Sequence, residues 1–87
     1  MHELSLIKDL VRKITSVACE HRAGKIVSVT VKLGALSHIS PDHFREHFNH
    51  GTQGTAAEGT QLHIKIMTDM NDPFAQEVLL ESVEIGD

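Results

Sequence analysis

The stretch Gly24-Lys25-Ile26-Val27-Ser28-Val29-Thr30-Val31-Lys32-Leu33-Gly34 decides the fold. Val27, Val29, Val31 and Leu33 alternate with Ser28, Thr30 and Lys32, the period of two that marks a strand with one buried face. Upstream the period is different. Leu6, Ile7, Leu10, Val11, Ile14, Val17 and Ala18 recur at three- and four-residue steps with Lys8, Asp9, Arg12, Lys13 and Glu20 opposite, which predicts an amphipathic helix over the first twenty-odd residues. Arg22-Ala23-Gly24 supplies its stop, with Gly24 suited to a left-handed cap.

Downstream of Gly34 a loop through Ser37, His38, Ile39 and Ser40 leads to Pro41. Ser40 is the expected N-cap, and Pro41 followed by Asp42 opens a second helix running to about Asn49, anchored by Phe44 and Phe48. Residues 51–59 are a loop rich in Gly, Thr and Ala. A second strand follows with Leu62, Ile64 and Ile66 inward and His63 and Lys65 outward, and residues 69–73 read as a turn. In the last strand Val78 and Leu80 share one phase while Val83 and Ile85 share the other. That slip at Glu81-Ser82 predicts a β-bulge, which keeps all four on the core face. The order is helix-strand-helix-strand-strand, an α+β fold with two helices packed on one face of a three-stranded sheet, because each element has one apolar face and only that layering buries all five. The expected core includes Leu10, Val11, Ile14, Val29, Val31, Phe44, Phe48, Ile64 and Val83.

Eighty-seven residues suffice for one domain, residues 1–87, with a single small core. Apolar runs of only a few residues argue against a membrane span. The opening Met1-His2-Glu3-Leu4 lacks a basic region followed by an apolar stretch, so no secretory signal is expected. A lone Cys19 makes neither an internal disulfide nor a cysteine-based zinc cage and fits a reducing, cytoplasmic setting. The net charge of −4 gives nucleic-acid phosphates no electrostatic hold. With three Phe and no Trp or Tyr, base stacking has no support either. Every Lys and Arg lies at or before Lys65, whereas Asp69, Asp72, Glu77, Glu81, Glu84 and Asp87 make the final stretch acidic, a surface suited to a basic partner or to solubility.

Catalysis has little to stand on, because there is no Gly-rich phosphate loop, no nucleophile elbow and no Cys beside a base. Cys19 reads as a small, partly buried hydrophobe, and Asp69 with Asp72 as a solvated turn. No enzyme is expected. Histidine stands out instead, with seven copies. Met1-His2-Glu3 sets a terminal amine, an imidazole and a carboxylate at the tip of the chain, and amine, backbone amide and imidazole nitrogens offer Ni(II) or Cu(II) the square plane they favour. His2 is bulky, so the initiator Met and its amine should be retained. A first helix of ~30 Å and a returning strand of ~26 Å bring the 34–41 loop, with His38, and the start of the next helix, with His43, back toward Met1, so two imidazoles come within reach of the terminal site; His38 reads equally as a plain exposed loop residue. His43, His47 and His50 cover about 60° of one helix face, either a simple polar face or a secondary metal or partner surface. Such a ladder is also open to holding a structural ion between two copies in a homodimer. His21 and His63 are single exposed polar residues.

Met1-His2-Glu3, Val31-x-Leu33-Gly34-x-Leu36-Ser37, Pro41 with Phe44 and Phe48, Gly54-Thr55-x-Ala57-Glu58-Gly59 and Leu62-x-Ile64 together resemble the HypA/HybF nickel-incorporation proteins of [NiFe]-hydrogenase maturation. The likeness runs without gaps from Met1 to about Lys65 and resumes in the 78–85 strand. It implies a nickel metallochaperone that binds Ni(II) through the terminal amine, His2 and neighbouring backbone nitrogens, with Glu3 nearby. It also implies partners in a maturation GTPase and the hydrogenase large subunit; relatives of this kind also help some urease systems. Family members carry a zinc domain with two Cys-x-x-Cys pairs between the last two strands, whereas residues 67–76 here form a short turn without Cys, so no structural zinc is expected. Ser40 stands where some members have a carboxylate, and Glu46, His47 and His50 occupy positions that are apolar in the family. The competing class is a metal-free adaptor that keeps the same fold and presents its acidic end or its histidine face to a partner.

Overall fold

The computed structural model describes residues 3–21 and 25–86. The elements are α1 (Glu3–Glu20), β1 (Lys25–Leu33), α2 (Pro41–Gly51), β2 (Gln61–Ile66) and β3 (Val78–Gly86), in the order that periodicity predicts. The Arg22, Ala23 and Gly24 stop lies outside the described residues. On α1 the apolar stripe works as read: Ile7, Leu10, Val11, Ile14 and Ala18 are buried, with Ile14 fully so. At α2 the Ser40 hydroxyl accepts from the His43 N–H at 3.5 Å with Pro41 in the first turn, and the helix runs two residues past Asn49 to Gly51.

β1 is the central strand of a sheet ordered β2-β1-β3. It pairs parallel with β2, from Ser28 opposite Gln61 to Leu33 opposite Ile66, and antiparallel with β3. The parallel neighbour requires a crossover, which α2 supplies. α1 packs on α2 and on β3, and α2 also meets β2. Both helices therefore lie on one face of the sheet and close a single core around Val29, Val31, Leu33, Phe44 and Phe48.

Two bulges adjust the phase. The expected one on β3 is present, since Thr30 and Val31 pair with Ser82 and Leu80 and leave Glu81 extra. A second lies on β1, where Ile26 and Ser28 oppose Ile85 and Glu84. It leaves Val27 unpaired and half-buried and puts Ile26, 3% exposed, in the core instead. The simple alternation beginning at Val27 is thus corrected by one residue, because a bulge turns the side chains before it to the other face.

β2 and β3 are edges, and their burial is lighter than expected. Ile64 and Val83 are only partly buried, and Ile66 is 62% exposed. Cover on β2 fades along its length: Leu62 is buried, and its carbonyl accepts from Arg45 Nη1 of α2 at 2.9 Å, whereas Ile66 at the far end faces solvent. The 51–59 loop, in contrast, is packed. Thr52 and Ala57 are buried, the Thr55 hydroxyl donates to the Thr52 carbonyl at 2.7 Å and accepts from the Ala57 N–H, and the Ile26 N–H donates to the Ala56 carbonyl. Among the described residues no helix is long and apolar enough to cross a membrane.

Candidate metal centre

Glu3 is the first residue of α1, so the tip directly precedes the helix; Met1 and His2 lie outside the described residues. The other expected ligand, His38, lies among the described residues. It sits in the 34–41 loop with φ of 58°, a left-handed conformation that histidine adopts more readily than most residues. It is exposed and lines a cleft of roughly 650 Å³ whose walls include Leu6, Asp9, Leu10 and Lys13 of α1 and the start of β3. Leu6 is three residues from Glu3, a rise of ~4.5 Å along a helix. The loop carrying His38 has therefore come back to the first turns of α1, as the lengths of helix and strand require.

The loop is held there by the turn that precedes β3. The Gly34 N–H donates to the Glu77 carbonyl at 2.9 Å and the Leu36 N–H to the Ala75 carbonyl at 2.7 Å. Gly34 lies so close to the Ala75 carbonyl that no side chain fits between them. The 67–77 segment is a chain of tight turns: Asp69 Oδ1 accepts from the Asn71 N–H at 2.9 Å and Asp72 Oδ1 from the Phe74 N–H at 2.7 Å, so these two carboxylates do the work of turn residues. Ala75 is buried at 4% exposure.

The other histidines divide. On α2 the rings of His43 and His47 lie 4.7 Å apart, centroid to centroid. His50 is exposed, as are His21 and His63. Among the described residues no group of three or more His, Cys, Asp and Glu converges as a metal cage. Cys19 is exposed rather than partly buried, since it follows Ala18 and falls just off the apolar stripe of α1. Sequence reasoning missed Asp9, Lys13 and Glu77 as walls of the cleft beside His38. The signal available was the pair Asp9 and Lys13, four residues apart beside Leu10.

The acidic end is not uniformly free either. Glu81 Oε2 lies 2.8 Å from Lys65 Nζ and Oε1 lies 3.6 Å from Lys32 Nζ, so part of that charge is met on the outer face of the sheet.

The family model described as hydrogenase/urease nickel incorporation, metallochaperone, hypA matches residues 1–70. The chain is 35% identical over 66 residues to hydrogenase maturation factor HypA of Archaeoglobus fulgidus, covering 76% of this chain and 60% of that one. It is 39% identical over 64 residues to hydrogenase maturation factor HybF of Salmonella typhimurium, covering 74% and 57%. It thus spans about six-tenths of the length of these relatives. Among solved structures, that of the Ni metallochaperone HypA from Helicobacter pylori superposes with a TM-score of 0.81 at 19% identity, over 98% of this chain and 97% of that one, and shares the fold.

Proposed function

Because the chain belongs to the HypA family of hydrogenase and urease nickel-incorporation metallochaperones, we propose that it carries Ni(II) as cargo at its tip, bound by Met1, His2 and Glu3 with His38 beside them. The family is one of metallochaperones and not of enzymes. The observation that supports the reading is the cleft that His38 lines together with Leu6 of the first turn of α1. In this reading the Met1 amine, backbone amide nitrogens and the His2 imidazole form a nitrogen-rich plane of the kind Ni(II) favours. The Glu3 carboxylate offsets the charge of the ion, and His38 is the added ligand. An open site of this kind suits cargo, which has to leave as well as enter.

The names of the relatives, hydrogenase maturation factors, support a client of the [NiFe]-hydrogenase type, reached in the cytoplasm with a maturation GTPase and the hydrogenase large subunit as partners. Residues 1–87 act as one nickel-binding domain in which the 67–76 turn stands in place of the zinc module. A Ni(II) titration of tag-free protein beginning at Met1, set against His2→Ala, tests the proposal. One tight site should be present in the parent and lost in the variant. A parent that binds no nickel at the tip would leave the metal-free adaptor as the function of this fold.

A further inference from the structure

α2 carries two of its histidines one above the other. His43 and His47 are four residues apart, which places them on the same helical face, with ring centroids 4.7 Å apart and ring planes inclined by 45°. The backbone beneath them is firmly seated. Phe44 and Phe48, the residue after each histidine, are both fully buried and stack on each other at 6.2 Å, while Ser40 and Pro41 set the first turn. The rings themselves stand at the surface, His43 exposed and His47 half-buried. Arg45, the cation that falls between them in sequence, holds its guanidinium on the Leu62 carbonyl of β2. Asp42, in the first turn, offsets the positive end of the helix dipole, and Glu46 adds negative charge farther along the helix.

We propose that His43 and His47 form a two-imidazole site that binds a divalent transition-metal ion without help from His2. The ring separation matches coordination to one ion. With metal–nitrogen bonds of ~2.1 Å and ring centres about 1.1 Å beyond the nitrogens, two imidazoles meeting at a right angle hold their centroids about 4.5 Å apart, and at a tetrahedral angle about 5.2 Å. The observed 4.7 Å lies between these two values, so the pair has the spacing to share one divalent ion of either geometry. His50 does not complete the site, since among the described residues no three such ligands converge. The helix supplies two ligands, water supplies the rest, and the site is weaker than a chelating terminus.

Ni(II) itself is the probe. The tag-free protein is titrated by equilibrium dialysis while NMR follows the histidine ring protons, whose signals broaden near bound Ni(II). The weaker binding step should broaden His43 and His47 selectively. His43→Ala and His47→Ala should each weaken that step by ~10-fold or more, since even the loss of an outer-shell partner reaches that size, and His2→Ala and His50→Ala should leave it unchanged. Because His2→Ala reports on the tip alone, failure here and failure of the terminal site are distinguishable. Circular dichroism on each variant, with His43→Gln and His47→Gln as milder replacements, checks that α2 remains folded. Binding unchanged in the folded His43 and His47 variants would overturn the proposal and leave the pair as a ring contact. An equal loss in His50→Ala would overturn it too, since the site would then be the whole ladder.

Discussion

Glu81 of β3 meets Lys65 of β2 across the full width of the sheet, with Oε2 2.8 Å from Nζ. The two belong to opposite edge strands, separated by β1 and by ~9–10 Å of backbone. The extra residue at the bulge puts Glu81 on the outer face, and Lys32 of β1 lies between them at 3.6 Å from Oε1. The Lys65 hydrogen bond, aided by the charges of Lys65 and Lys32, holds the Glu81 carboxyl below its ordinary value of 4.5.

A carboxylate whose folded value is depressed adds stability above its unfolded value and loses that stability as pH falls through the folded one. Glu81→Gln should therefore melt lower than the parent near neutral pH, and the gap should close as pH drops below 4.5. The site is open to solvent, so the gap should be small and shrink further in high salt. Melting curves across pH and ionic strength measure it.

Gly34→Ala should destabilise the domain by roughly 1–3 kcal/mol, the usual cost of forcing an added group into a packed site. The obstacle is the backbone carbonyl of Ala75 rather than a flexible side chain, so the turn before β3 must shift. Urea unfolding gives the loss, and slower or weaker metal capture by the neighbouring His38 loop should accompany it.

Phe48→Ala should cost about 3–5 kcal/mol, a large share of the ~5–15 kcal/mol that holds a domain folded. Phe48 is fully buried, stacks on Phe44 and belongs to the core cluster shared by the two helices and the sheet. His50→Ala, two residues on and exposed, should fall within ~0.5 kcal/mol of the parent. Denaturant titrations of the two variants should separate cleanly.

One residue added before Met1 should weaken the tip even with His2 intact, because the amine is displaced from its place next to the imidazole. Nickel affinity at the tip should also fall with pH, since its nitrogen ligands must shed protons before they bind. Competition titrations at several pH values test both. Binding that ignores the extension would move the main site to the histidines of α2.

A strong chelator should strip nickel yet leave helix content and melting temperature nearly unchanged, because the core of Ile14, Val29, Val31, Phe44 and Phe48 needs no metal to close. In a zinc-dependent fold, by contrast, removal of the ion unfolds the chain. Circular dichroism with sedimentation distinguishes these outcomes, and loss of a dimer on chelation would point to an ion held between copies.

What the sequence determined by itself was local. Apolar spacing set the buried stripe of α1 and the inward face of β1, Ser40 and Pro41 set the start of α2, and the phase slip in β3 located the bulge at Glu81. Each depends on contacts within a few residues or on one repeating face, so periodicity carries it. The candidate ligands were legible in the same way, as residue types at the tip and on one helix face.

Only the tertiary structure decided the rest. Periodicity is blind to pairing, so it could not show that β1 lies between a parallel and an antiparallel neighbour, or that its own bulge exchanges Val27 for Ile26 in the core. Ile66 carries the same signal as Leu62, yet Leu62 is buried and tied to α2 through Arg45 while Ile66 at the far end of that edge strand stands in water. Residues far apart in the chain come together because the chain folds back: Gly34 against Ala75, and His38 on the same cleft as Leu6. Burial depends on what arrives from elsewhere to cover a residue, and that is a property of the assembled core rather than of any one segment.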